Sequence, residues 1–114
     1  MKPTVFATGR YERSAKRLLT NEERADIQDA ISANPELHPV VKGTGGVRKA
    51  RYGRQGKGKS GGVRIIYYYW VSDDEVYLLF MYAKNEQADM SPSDRKAAKA
   101  FVEELKRAKE EKRR

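Results

Sequence analysis

Val63-Arg64-Ile65-Ile66-Tyr67-Tyr68-Tyr69-Trp70-Val71, then Ser72-Asp73-Asp74, then Glu75-Val76-Tyr77-Leu78-Leu79-Phe80-Met81-Tyr82-Ala83, is the stretch on which the fold turns. The first nine residues are almost all β-branched or aromatic, the residue types that fit a pleated surface. Ser72-Asp73-Asp74 reads as a turn, and the apolar run resumes at once. Two sequential strands joined by so short a turn pair antiparallel. Neither run alternates cleanly between polar and apolar residues, so both strands are expected to be central, covered on one face and partly on the other.

Working back towards the N-terminus, Val47 to Tyr52 reads as a third strand, carrying Arg48, Lys49 and Arg51. Gly53 to Gly62 is so rich in glycine that it is expected to be a mobile hairpin connection. Lys42-Gly43-Thr44-Gly45-Gly46 reads as a loop. Before it, Thr4 to Thr8 is a short strand ended by Gly9, and Tyr11, Ala15, Leu18 and Leu19 recur at helical spacing. Thr20-Asn21-Glu22-Glu23 has the form of a capping box. It opens a second helix with Ile27, Ala30 and Ile31 as its buried stripe, closing near Asn34-Pro35. Towards the C-terminus, Ser91-Pro92-Ser93-Asp94 is a helix start. That helix buries Ala97 or Ala98, Phe101, Val102 and Leu105. Residues 106–114 form a charged extension, either a solvated continuation of the helix, which is favoured, or a frayed end. The order strand, helix, helix, three strands, helix gives an α+β fold: a small antiparallel sheet with flanking helices.

At 114 residues the chain has the length of one domain, residues 1–114, with a modest core: 39% of its residues are hydrophobic and 35% charged. It has no cysteine and no apolar run long enough for a membrane span, and its N-terminus lacks the apolar segment of a signal peptide. These features lead to the expectation of a cytoplasmic protein. The net charge of +8 is concentrated. Between Glu36 and Asp73 there is no acidic residue, whereas Lys42, Arg48, Lys49, Arg51, Arg54, Lys57, Lys59 and Arg64 all lie there, with eight of the nine glycines. A basic, glycine-rich segment leading into an aromatic strand fits an RNA-facing surface, where cations neutralise phosphates and glycines permit close backbone approach.

Conventional catalytic sets are missing. With His38 as the one histidine, a histidine-pair nuclease is excluded. The carboxylates concentrate in the helices and the 73–75 turn, away from the basic strands, which leaves little for a two-metal site. The Gly-Lys-Ser sequence within Gly56 to Gly62 lacks the full phosphate-loop pattern and precedes a strand instead of a helix, so nucleotide hydrolysis is rejected. What remains is lysine, arginine and tyrosine. Such a set can cleave RNA without metal, because the 2′-hydroxyl is already present as nucleophile. Arginine suits the phosphate, and a lysine crowded by cations has its charged form disfavoured. Composition alone favours RNA binding over cleavage.

Three segments, in order, resemble the RelE/HigB superfamily of type II toxin–antitoxin toxins, and most closely its HigB-type branch. They are Lys42 to Lys49 (KGTGGVRK), Gly58 to Tyr68 (GKSGGVRIIYY) and Tyr82 to Met90 (YAKNEQADM), with a helix expected directly after the third. The resemblance implies a small antiparallel sheet flanked by helices. It also implies metal-independent cleavage of mRNA in the ribosomal A site through the 2′-hydroxyl, inhibiting translation. No cofactor is implied. The implied partners are a cognate HigA-like antitoxin, the 30S A site with its 16S rRNA and mRNA, and operator DNA through the antitoxin complex.

By the same resemblance, Arg64 is the phosphate-stabilising arginine, Lys57 a lysine for substrate charge or proton transfer, and Lys84 the lysine after the last strand. Arg48, Lys49, Arg51, Arg54 and Lys59 hold rRNA and mRNA backbone. Against the RelE pattern, Asn85 stands in place of an arginine, Ser91 of a tyrosine and Gln55 of a lysine. The general acid and base are therefore unassigned. Tyr68, on the Arg64 face by the two-residue strand period, is either their substitute or a core aromatic. Asn85 either positions substrate or forms a turn, and Lys57, Lys59 and Lys84 have bland readings as solvated or strand-capping charges. Two other functions remain open: a ParE-like inhibitor of gyrase, and a non-catalytic RNA- or ribosome-binding module.

Overall fold

The computed structural model describes residues 2–54 and 58–113, with backbone alone for 58–60. Its elements are β1 (Thr4–Ala7), α1 (Gly9–Leu18), α2 (Asn21–Ala33), β2 (Arg48–Arg54), β3 (Gly58–Trp70), β4 (Glu75–Ala83) and α3 (Pro92–Lys112). The strands form one sheet in the order β1-β4-β3-β2. β2, β3 and β4 pair antiparallel as expected, and β1 adds to the free edge of β4 in parallel. The class is α+β.

Each side of the sheet carries its own apolar cluster. On one side Tyr11, Ala15 and Leu19, with Ile27 and Ile31 of α2, pack on Ala50, Val63, Ile65, Tyr67, Val76, Leu78 and Met81. On the other, Ala98 and Val102 of α3, with Val41, Val47 and Met90, cover Ile66, Leu79, Phe80 and Tyr82. This double cover explains the absence of polar alternation in β3. In β4 there is a second cause. The register slips between Ile66 and Tyr67, whose partners are Phe80 and Leu78, so Leu79 is an extra residue. Leu79 and Phe80 then face the same cluster, the two-against-one arrangement of a β-bulge.

Helix starts follow the sequence. Thr20 accepts from the Glu23 amide at 3.0 Å while Glu23 returns to the Thr20 N–H at 2.9 Å, completing the capping box. Ser91 caps α3 through the Asp94 amide at 3.0 Å. Gly9 is the first residue of α1 instead of a strand terminator, because the hydroxyl of Thr8 takes the Tyr11 amide and starts the helix there. Ala30 is exposed; the buried face of α2 is Ile27, Ile31 and Ser32.

The glycine-rich stretch is the main correction. β2 runs on to Arg54 and β3 begins at Gly58, so most of the expected connection is strand. Its entropic disadvantage is offset by the ladder and by local contacts. Gly62 O accepts from the Lys84 amide at 2.9 Å, and the Arg54 guanidinium donates to Gly61 O. A register shift between Tyr52 and Arg54 absorbs the irregularity. Residues 55–57, Lys57 among them, lie outside the described residues.

The loop from Val41 to Val47 is structural. Thr44 is fully buried; its hydroxyl donates to Val41 O at 2.7 Å and accepts from the Val47 amide at 3.1 Å. Gly46 has φ +115° and lies so close to Tyr68 that a Cβ would sit 3.3 Å from its ring. The C-terminal extension continues as helix to Lys112.

Candidate functional site

The register of β2, β3 and β4 sorts the basic residues onto two faces. Arg48, Ala50 and Tyr52 pair with Tyr67, Ile65 and Val63, on the side of α1 and α2. Lys49 and Arg51 pair with Ile66 and Arg64, on the side of α3. On its other flank Arg64 pairs with Tyr82. One row across the sheet therefore reads Arg51, Arg64, Tyr82, and the next reads Lys49, Ile66, Phe80.

Arg64 is 8% exposed, and its contact among the described residues is a long 3.4 Å hydrogen bond to the carbonyl of Val63. No described carboxylate pairs with it. Directly opposite stands exposed Arg51, a like charge at cross-strand distance, which is unfavourable unless an anion lies between. Tyr82 is 7% exposed and its hydroxyl has no hydrogen-bond partner among the described residues. Burial, then Asp89, push its pKa up from 10, while Arg64 and Arg95 pull it down.

The loop after β4 brings further groups to this row. Lys84 lies two residues beyond Tyr82, and its amide bond to Gly62 continues the ladder past Arg64. Lys84 and Asn85 are exposed, with Glu86 and Gln87 both donating to Ala83 O in the turn beneath them. The loop is clamped on both flanks. Arg17 of α1 makes a bidentate contact with Glu86, with bonds of 3.0 to 3.2 Å. Asp89 bridges Lys49 at 3.3 Å and Arg95 at 3.2 Å. The Met90 amide and Lys49 hold the Asp89 carboxyl below its usual range, so it stays an anion through neutral pH.

The expected site residues thus separate. Arg51, Arg64, Lys49 and Lys84 come together. Arg48 is spent elsewhere: its Nη1 donates to Glu36 O at 3.0 Å and His38 O at 2.7 Å, pinning the loop after α2. Arg54 serves Gly61. Tyr68 lies on the Arg64 side of β3, but it packs against Gly46 and sits 6.3 Å from the Trp70 ring. Burial raises its pKa. Lys59 lies on β3, where the backbone alone is described, and Lys57 lies outside the described residues. Sequence reading missed Tyr82 and Arg95. The two-residue spacing of Tyr82 from Lys84 was the available signal, since the bulge at Leu79 lies before both.

Among the described residues no three histidine, aspartate or glutamate side chains converge as a metal site, and no helix is long and apolar enough to cross a membrane. The chain is similar in structure to a mutant of the E. coli toxin RelE in the free state. The TM-score is 0.58 and the identity 13%, over 77% of this chain and 90% of that one. A family model, the RelE toxin of the RelE/RelB toxin–antitoxin system, matches residues 3–113. That match spans nearly the whole length, and the chain belongs to the RelE toxin family.

Proposed function

We propose that this chain is the toxin of a type II toxin–antitoxin system and a ribosome-dependent, metal-independent mRNA endonuclease acting in the A site, in the manner of the HigB-type branch. The observation that carries this reading is Arg64, a buried guanidinium with no carboxylate among the described residues and a second arginine opposite. A buried charge is costly unless paired. A phosphate seated between Arg51 and Arg64 supplies the anion and removes their repulsion.

In the cleavage step the 2′-oxygen attacks phosphorus and the bond from phosphorus to the 5′-oxygen breaks. One proton leaves the 2′-hydroxyl and one reaches the 5′-oxygen. Arg64 and Arg51 stabilise the extra charge on the phosphate, while Lys84 and Lys57 are the proton-transfer candidates. Asn85 orients the substrate, Tyr68 serves as a stacking platform, and Lys49, Arg54 and Lys59 line the RNA path. The partners are a HigA-like antitoxin and the 30S A site, the setting is the bacterial cytoplasm, and residues 1–114 act as one domain.

The test maps mRNA 5′ ends after the purified protein is added to a translating extract, beside naked RNA and beside Arg64→Ala. New ends inside A-site codons, dependent on ribosomes and lost in Arg64→Ala while co-sedimentation persists, are the expected result. Co-sedimentation without new ends makes the protein a binding module. Absence of both points to a gyrase-directed toxin.

A further inference from the structure

In the Arg51–Arg64–Tyr82 row the hydroxyl of Tyr82 has no partner among the described residues, and the guanidinium of Arg64 has there only its long 3.4 Å bond to Val63 O. They are direct cross-strand neighbours. Side chains at such positions start about 5 Å apart at Cβ and can share one ligand. A hydroxyl withdrawn from water with no acceptor is destabilising, so a buried orphan calls for a reason. The side chain reaches neither of the nearby carboxylates, Asp89 and Asp94, which act on it only through space.

We propose that Tyr82 is a further substrate-contacting residue: its hydroxyl, closed to solvent in the free protein, donates to a non-bridging oxygen of the RNA phosphate that Arg64 and Arg51 hold once the Arg64 side chain turns onto that phosphate. The assignment rests on the RNA-cleavage reading above. A phenol adds a donor without adding charge. That suits a place already holding two guanidinium groups, where a third cation would raise the repulsion. Tyr82 keeps its proton throughout: it gives a hydrogen bond and transfers nothing. Burial favours the neutral phenol, so the donor persists across the neutral range. The bond tightens as charge builds on the phosphate oxygens, and loss of one such donor costs a reaction on the order of 10²-fold.

Tyr82→Phe removes the hydroxyl alone, and because that hydroxyl has no partner in the free protein the variant is expected to melt at or above the parent's temperature. Two readouts follow: affinity of the purified protein for a short single-stranded RNA methylated at its 2′-oxygens, and the rate of A-site cleavage in a translating extract. The expected result is an affinity lower by about 10- to 100-fold, the value of one hydrogen bond to a charged group, and cleavage slower by about 100-fold. Equal affinity in the two proteins, or none in either, overturns the assignment. So does a melting temperature several degrees below the parent's, which would mean that the hydroxyl already serves the fold. If the parent cuts no RNA but Tyr82→Phe binds the methylated RNA more weakly, the cleavage reading fails and the Tyr82 contact stands. If the parent cuts and the variant cuts and binds equally, the contact alone fails.

Discussion

Arg48 and Arg51 stand three residues apart on β2 and have different surroundings, because an odd spacing on a strand puts them on opposite faces. Arg48 gives two hydrogen bonds to loop carbonyls and no described phosphate-facing neighbour shares its side. Arg51 faces Arg64 with nothing between them among the described residues. Replacing Arg48 by alanine is therefore expected to lower the unfolding free energy by about 1–3 kcal/mol, since it removes charged hydrogen bonds and leaves two carbonyls short of a donor. Arg51→Ala is expected to be neutral or to stabilise by up to about 1 kcal/mol, because it relieves a like-charge pair. Urea unfolding of both variants checks this, and a destabilised Arg51→Ala would mean that the row is a structural feature instead of a binding one. From the sequence the density of cation between residues 36 and 73 was plain, and it located the site to a segment. Which of those cations work together was not legible, because the face of each depends on register, and register depends on partners tens of residues away. Tyr68 shows the converse limit. Its face followed correctly from the two-residue period, yet what it touches, the backbone at Gly46, comes from a loop that no strand pattern describes.

At the scale of elements, α3 illustrates how charge ends up ordered. Beyond Leu105 the helix has almost nothing apolar to bury, and a polar helix end of this kind would ordinarily fray. Lys109 holds it. Its ammonium contacts Asp73 at 2.5 Å and also Glu75 in the β3–β4 turn, and lies 5.6 Å from the centroid of the Trp70 ring. Although burial opposes the charged form, hydrogen bonds to Asp73 and Glu75 raise the Lys109 pKa, and the same contact lowers that of Asp73. Asp73 is exposed while Lys109 and Glu75 are partly covered, so the pairs are screened only in part and Lys109→Ala is expected to cost about 1 kcal/mol globally. Its effect is local: amide exchange across residues 106–112 should accelerate while that of β3 and β4 stays unchanged. Acceleration throughout the sheet would show that the helix end is part of the cooperative core. The core of β3, β4 and the starts of α2 and α3 were legible because local rules decide them: residue shape, the Ser72-Asp73-Asp74 turn signal, capping hydroxyls. β1's parallel pairing was not, since its partner β4 lies about 70 residues away. The strand through Gly58 to Gly62 was not either, because the ladder with β2 and the bond to Lys84 outweigh glycine's poor propensity only once the sheet exists.

The whole molecule is a sheet with an apolar cluster on each side, so on the proposed reading the RNA meets the α3 side beside Arg64 and not the strands beneath the helices. Lys49, Arg51, Arg64, Lys84 and Arg95 gather there, with the Asp89 carboxylate between Lys49 and Arg95. The opposite face near Tyr52 and Gly53 is acidic, with Glu22, Glu23 and Asp26 lining a groove of about 480 Å³. These carboxylates repel phosphate at that groove, and on the proposed reading RNA approaches from the Arg64 side. Salt dependence turns this into a measurable statement. Each phosphate neutralised on a single strand adds about 0.7 to the slope of log affinity against log salt. Five such contacts together imply a loss on the order of a hundredfold between 50 and 200 mM salt. Alanine at Lys49, Arg51 or Arg64 should each flatten the slope of RNA binding by about 0.7, whereas alanine at Arg48, equally cationic and next in sequence to Lys49, should leave it unchanged in protein that is still folded. Titrations of labelled RNA at four salt concentrations suffice. If Arg48→Ala flattens the slope as much as Arg51→Ala, the RNA follows the basic segment as a sequence and not one face of the sheet, and the row built on Arg64 is not where the phosphate sits.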